Sequence, residues 1–455
     1  MGRSRVLVGI GLLVLAGLVV FSFYYVGGRI QQRYATVFGK NATWAKRMHL
    51  RSEKIVYDRG VFTSRARTRI SLRGHDAPAV LLRHSINHGP FFYANRFLGL
   101  GRVETTAEYV SGNHTELQNG FEGRIPLKAR THISLGGSVL NRITSSPASW
   151  EKEGTQMVWG GMNASISWQN KGKKKLDVDC HLPRIKFSPP EEAEKVLLRD
   201  MRWQQSVNWN QRDWIEQGEG RFTCSRIKAS SGEGRISLED ISLESRTSLQ
   251  RELLRSNSVY RFRKGRFGDF RFPRGNLTVH LGNIDPAVQA QMGSVFYRQS
   301  PGNVTREKVE ELARGFLSRS PELESALRLK TERGWVQMDV SSVFDGSGKL
   351  NLRAFSLVSR LRFSVRGSVP QRIGVMLAAL PARFIGKGMS LGEEDTLSKS
   401  ERVERQARRW LKRLCEKGYI TRDSGIYTSS LQLKQGMLTV NDKPFFPLKE
   451  FLGSQ

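Results

Sequence analysis

The sequence predicts a mainly β chain with a few helices, in which a long curved antiparallel sheet follows one N-terminal membrane-spanning helix. Three observations lead there. Apolar and cationic residues alternate with period two in many short stretches, 44 glycines accompany only 15 prolines, and an uncharged apolar run lies near the start. Period two is the spacing of strands, and glycine-rich turns between such stretches suit hairpins better than helical bundles.

The uncharged run extends from Val6 to Val26, and about 20 apolar residues are enough to cross a bilayer. Arg3 and Arg5 precede it, which favours a cytoplasmic segment over residues 1–5. Tyr24 and Tyr25 suit the outer interface, although Arg29 and Arg33 just beyond blunt the charge bias. The competing reading is a cleaved signal, whose apolar region is usually only about 7–15 residues and ends in an Ala-x-Ala site. No such site follows, so an uncleaved anchor over 6–26 is expected, then a connector over 27–54 and an elongated β-rich domain over 55–455.

Alternation is clearest in Phe62 to Leu72, where Phe62, Ala66, Ile70 and Leu72 share one face and Arg65, Arg67 and Arg69 the other. Tyr260 and Phe262 alternate with Arg261 and Arg263, Lys264-Gly265 suits a turn, and Phe270 and Phe272 flank Arg271. Leu361, Phe363 and Val365 alternate with Arg360, Arg362 and Arg366. Such strands have one apolar and one cationic face, as in a half-buried antiparallel sheet. Further strands are expected at Asn163–Trp168 with Leu176–Cys180, Arg235–Ser245, Asn276–Leu281, Leu323–Leu329 with Trp335–Val343, and Lys349–Leu357. Tyr427–Leu433 and Met437–Val440 form a last pair around Gln435-Gly436.

Helical spacing appears in two places. Val309, Leu312, Ala313, Phe316 and Leu317 line one side of a helix near 305–318, with Thr305 as its cap. Val403, Ala407, Trp410, Leu411 and Leu414 line another near 400–417, whose far side carries Arg402, Arg405, Arg408, Arg409, Lys412 and Arg413. This second helix could lie on an anionic membrane, or pack its apolar side on the sheet and leave the arginines in water; we favour the packed arrangement. A shorter helix is expected after Pro189-Pro190.

The formal charge of +31 marks a surface that attracts polyanions. In the alternating strands, however, aromatics and arginines fall on opposite faces, whereas a nucleic-acid stacking platform needs both on one face. Nucleic acid is therefore not the expected partner, and the basic face of Arg261, Arg263 and Arg271 is the candidate contact for anionic lipid headgroups. Cys180, Cys224 and Cys415 are too few for a disulfide framework, although an oxidising compartment would permit a Cys180–Cys224 bridge. Phosphate-binding loops, nucleophile elbows and metal-binding helices have no counterpart in the sequence. Asp177 and Asp179 read as a solvated strand face, and Cys180 and His181 point to opposite faces. His88, at the bend Asn87-His88-Gly89-Pro90-Phe91, has no nucleophile or acid beside it in the sequence and reads as a group that satisfies nearby backbone. No catalytic site, metal or cofactor is expected.

Three stretches have a common look: Tyr57-Asp58-Arg59-Gly60-Val61-Phe62 followed by Thr63-Ser64, the bend His88-Gly89-Pro90-Phe91, and the hairpin Gly436-Met437-Leu438-Thr439-Val440-Asn441. On these the chain resembles the YdgA-like family of bacterial inner-membrane proteins, a family without an established biochemical activity. The resemblance implies a single-pass inner-membrane protein with its C-terminal domain in the periplasm, and it supplies no catalytic residues. The expected function is non-enzymatic binding or conduction of lipid through a sheet groove. The alternative is a structural or scaffold protein that acts through other envelope proteins.

Overall fold

The computed structural model describes residues 28, 31–32 and 50–447, apart from 73–78, 90–98, 112–126, 153, 170–173, 191–194, 211–213, 232–233, 269, 299–304, 349–353, 376–377 and 379–398. The expected anchor from Val6 to Val26 lies outside these residues, as do Pro90 and Phe91. Among the described residues no helix is long and apolar enough to cross a membrane.

The chain is mainly β, with open antiparallel sheet and few helices, as the alternation predicts. It divides into two compact units, Met1–Arg235 with Ser294–Ser300 and Ile236–Gly293 with Pro301–Gln455.

The first unit begins with β1 (Leu50–Arg59), β2 (Thr63–Leu72), β3 (Ala79–His88) and β4 (Gly99–Ser111). It continues with β5 (Leu127–Ser134), β6 (Val139–Ser145), β7 (Ala148–Lys152), β8 (Thr155–Trp159) and β9 (Met162–Gln169). Three long strands complete it: β10 (Lys174–Ser188), β11 (Val196–Trp209) and β12 (Ile215–Ser231). The strands β1 to β6, then β9 to β12, pair antiparallel in that line. The short β7–β8 hairpin attaches to the far end of β10. Because β1 starts at Leu50, the connector expected over 27–54 stops short of its predicted end.

Directly paired residues share a face, so the register fixes what each face displays. One row reads Tyr57, Ala66, His84, Thr105, Ala129, Ile143, Ala164, Cys180, Trp203, Phe222 across ten strands. The row at His88 continues through Gly101, Ile133, Val139, Trp168, Leu176 and Val207. On the opposite face a row reads Arg67, Arg83, Thr106, Lys128, Thr144, Asn163, His181, Arg202, Thr223. From β2 to β9 this opposite row is exposed while the first row is buried or half-buried, and a one-residue slip would reverse this; from β10 to β12 the two rows are about equally exposed.

The second unit opens with β13 (Gly234–Gln250), β14 (Leu253–Phe262), β15 (Lys264–Phe267), β16 (Phe270–Phe272) and β17 (Arg274–Ile284). Helices α1 (Pro286–Arg298, its end from Ser294 counted with the first unit) and α2 (Arg306–Leu317) follow, then β18 (Glu322–Thr331), β19 (Gly334–Phe344), α3 (Ala354–Arg360) and β20 (Leu361–Pro370). After α4 (Lys399–Glu416) come β21 (Thr421–Asp423), β22 (Ile426–Lys434), β23 (Met437–Val440) and β24 (Lys443–Pro447). The pairing line is β13, β14, β17, β18, β19, β20, β22, β23, β24. Gln435-Gly436 forms the expected turn, with both residues at positive φ (51° and 76°) as a type I′ hairpin requires. Thr305 caps α2 by accepting from the Lys308 amide at 3.3 Å.

Four expectations are corrected. Lys264-Gly265 is not a turn: the Arg263 amide donates to Glu239 O at 2.9 Å, which carries the pairing of β13 onward into β15. The reversal comes later, at Gly268 (φ 60°). Of the strand expected at Lys349–Leu357, residues 349–353 lie outside the described set, and Ala354 to Leu357 belong instead to α3, where Phe355 and Val358 have helical spacing. Phe62 does not join the buried face; it sits in the bend before β2 and is 54% exposed. A bridge between Cys180 and Cys224 is excluded, because they lie on β10 and β12, with β11 between them, and all three cysteines are free. Two strand spacings are about 9–10 Å, beyond the reach of a disulfide at about 7 Å. The helix expected after Pro189-Pro190 falls on residues outside the described set, and β11 begins at Val196.

α4 packs part of its apolar side inward as expected, but Trp410, expected on that side, is 52% exposed. Ala407 and Leu411 are buried against Val375 and Tyr427, with Val369, Cys415 and Ile420 around them.

Candidate functional site

The motif residues at the start of the first unit converge on one turn, itself exposed, that is fastened by buried Ser64 and His88. The chain leaves β1 at Arg59 and enters β2 at Thr63, and the Gly60 amide donates to Thr63 O at 2.9 Å. A Cβ on Gly60 would stand 2.4 Å from that oxygen, so the turn admits no side chain there. His88, at the end of β3, closes the turn from the other side. Its amide donates to Phe62 O at 2.8 Å, and its ring Nδ1 lies 3.0 Å from Val61 O. A carbonyl only accepts, so Nδ1 carries the proton and Nε2 is the acceptor. Ser64 Oγ, 2.9 Å from Nε2, then donates to it. The adjoining Gly89 amide donates to Leu100 O at 2.8 Å.

This constellation is sealed: Ser64 is 2% exposed and His88 1%. Burial pushes the His88 pKa down, the Val61 carbonyl partly opposes that, and the Arg59 charge adds to the fall. The neutral ring is the form that can accept from Ser64. Burial raises the Tyr57 pKa, against the influence of the Ser64 hydroxyl and the Arg59 charge. A serine hydroxyl donating to a histidine is also the start of a nucleophilic dyad. Here the ring is held by a carbonyl rather than a carboxylate, and both groups are shielded, so the arrangement fastens a turn.

Sequence reasoning placed Ser64 in the motif but left His88 without a hydroxyl partner. The missing signal was register: Thr63 pairs with Asn87, which brings Ser64 within reach of His88. Of the other motif residues, Gly436 supplies the β22–β23 turn. Asn441 accepts from the Ser430 amide at 2.8 Å and donates to Gly418 O at 3.1 Å, far from the first cluster in sequence.

His84, on the row of Ala66 and Thr105, is 4% exposed and its Nδ1 lies 2.9 Å from Thr105 Oγ1. Burial pushes its pKa down from 6.5 to about 4. Between those values the unfolded chain takes up a proton that the folded chain refuses, so stability is full above pH 6.5 and falls as pH drops towards 4. The shift corresponds to at most about 3 kcal/mol. His84→Gln is expected to flatten that slope, read from urea midpoints at about pH 7 and about pH 5.

The apolar face changes character along the line of strands. Ala66, His84, Ile86 and Ala107 are buried, whereas Ile133, Val139, Ile143, Trp168 and Leu176 are half-buried and Trp203 is 45% exposed. Trp168 and Trp209 meet with ring centroids 5.4 Å apart. Between these large groups stand Gly101, Ala129, Ala164, Gly218 and Gly220.

The basic face of the second unit is less free than its sequence suggests. Arg261 pairs with Glu244 at 3.2 Å and Arg263 with Asp240. Arg271 stands across from Arg266. Exposed ion pairs contribute about 0–1 kcal/mol, so Arg261→Ser with Arg263→Ser is expected to shift the unfolding free energy by less than about 2 kcal/mol. A separate shallow trough of about 620 Å³ lies in this unit, lined by His280, Glu324, Asp339, Ser341, Ser364 and Arg366 among others. Among the described residues no three His, Cys, Asp or Glu side chains gather as a metal site would need.

No curated protein and no solved structure matches the chain. A family model does, over residues 5–447, and by that match the chain belongs to the family described as bacterial protein of unknown function (DUF945).

Proposed function

We propose that this protein is a non-enzymatic component of the bacterial envelope that binds or conducts lipid, with acyl chains lying on the apolar face of its first unit. The observation that carries the reading is the half-buried apolar stretch from β5 to β12. Large groups at Ile143, Trp168, Leu176, Trp203 and Phe222 alternate there with glycines and alanines. Large side chains beside small ones make a relief into which a flexible chain can settle, and apolar burial contributes about 25 cal/mol per Å². The run Val6–Val26, whose length suits a bilayer span, supports a place at the inner membrane with the C-terminal domain in the periplasm. The small hydroxyls and amides among these rows, Thr105, Thr131, Asn141 and Gln205, are compatible with a face that is wetted when empty.

Trp203→Glu tests the reading. Because Trp203 is half exposed, the charge is tolerated by the fold, while a carboxylate in the path of an acyl chain must be desolvated. Binding of a fluorescent phospholipid is expected to weaken about tenfold, for a cost near 1.4 kcal/mol, with the melting profile unchanged. Unaltered binding would count against this face. Were the face closed by another protein instead, the scaffold reading would take its place.

A further inference from the structure

The charged side of α4 holds an arrangement that its packing against Val375 and Tyr427 does not use. Arg405, Arg409 and Arg413 recur at intervals of four residues, so they form one stripe along the helix. All three are exposed. Two acids of the helix serve other cations: Glu404 pairs with Arg408 at 2.6 Å, and Glu416 lies 3.9 Å from Lys412. Trp410 stands beside the stripe, three residues before Arg413, and is 52% exposed although the helix buries Ala407 and Leu411 on its inner side.

We propose that the outer face of α4 docks on an anionic lipid surface, with Arg405, Arg409 and Arg413 on the phosphates and Trp410 at the headgroup level. From Arg405 to Arg413 the stripe is about 12 Å long, and it lies on one side of the helix, which suits a planar array of charges. Trp is the side chain that settles at a membrane interface, because its ring is apolar while its N–H stays wet. The same chain carries the uncharged run Val6–Val26, so a bilayer is the polyanion closest at hand; a nucleic acid has no comparable claim. Each arginine near an anionic surface strengthens docking about fivefold, and three together about a hundredfold. The inference goes beyond the acyl-chain reading of the first unit and does not depend on it.

The test uses the full chain in vesicles of phosphatidylcholine with phosphatidylglycerol, whose acyl chains are brominated to quench nearby tryptophan. The chain has nine tryptophans, so the Trp410 signal is the difference between the native protein and Trp410→Phe. That difference is expected to be quenched in the anionic vesicles and to recover in vesicles of phosphatidylcholine alone. It should also recover at about 1 M salt, where charges are screened beyond about 3 Å, and in Arg405→Ser/Arg409→Ser/Arg413→Ser. All these side chains are exposed, so circular dichroism should report an unchanged fold, and Arg409→Ser alone should give a partial recovery. Equal signals in anionic and neutral vesicles, or undiminished quenching in the triple variant, would overturn the proposal. So would a Trp410 signal that responds to an added oligonucleotide and not to vesicles. Phospholipid carried by the first unit should be the same in the native protein and the triple variant, which separates failure here from failure of the acyl-chain reading.

Discussion

Replacing His88 by Ala is expected to destabilise the protein by about 3–5 kcal/mol, the largest effect of any single substitution considered. The imidazole donates to Val61 O and accepts from Ser64 Oγ, and both the ring and Ser64 are buried. Its removal strands an acceptor and a donor, each at about 1–3 kcal/mol, and leaves a cavity where the ring was. In a unit of some 200 residues each kcal/mol is about 2–4 °C in melting temperature, so thermal unfolding of the full chain should show a fall of roughly 6–20 °C. His88→Asn separates the two bonds. Its side-chain N–H can replace Nδ1 on Val61 O but does not reach Ser64, so it should restore about half the loss. An Asn variant as unstable as Ala would show that the Val61 contact contributes little.

Gly60→Ala is expected to cost about 3 kcal/mol, for a different reason. The added Cβ meets Thr63 O at 2.4 Å, and that oxygen belongs to the backbone and already accepts from the Gly60 amide. Relief requires opening the turn, which draws Val61 and Phe62 away from His88. The effects of Gly60→Ala and His88→Ala should therefore fall well short of additive in the double variant, because either one alone releases the same turn. Additive losses, measured by urea unfolding, would mean that the turn and the histidine act separately.

The sheet was legible because its alternation is strict. Arg65, Arg67 and Arg69 against Ser64, Ala66 and Thr68 fix the faces of β2 whatever its partner is, and the same holds along β9, β10 and β20. The strand pairs β9–β10, β18–β19 and β22–β23 also followed from turn residues between adjacent runs. Where local and distant interactions compete, the sequence misled. Lys264-Gly265 has turn chemistry, yet pairing with Ile236–Glu239 extends the strand through it. α1 was legible and overlooked: Asp285 accepts from the Ala287 amide at 2.9 Å, and Pro286 occupies the first helical position, a start signal readable from Asp-Pro alone. The site was half legible. The residue types around the turn stood out in the motif, but the contact between Ser64 and His88, 24 positions apart, depends on a register that no local pattern encodes. On the basic face, the acid partners Glu244 and Asp240 sit on a neighbouring strand, out of view of a pattern confined to Tyr260–Phe272.

The most direct test of the lipid reading is mass spectrometry of the domain from Arg29 onward, directed to the periplasm and purified without detergent. Phospholipid is expected to accompany the native domain reproducibly and near stoichiometry, and to be depleted from Trp203→Glu. A folded domain free of lipid would contradict the account, and the apolar rows from β5 to β12 would then have to be explained as the seat of a protein partner.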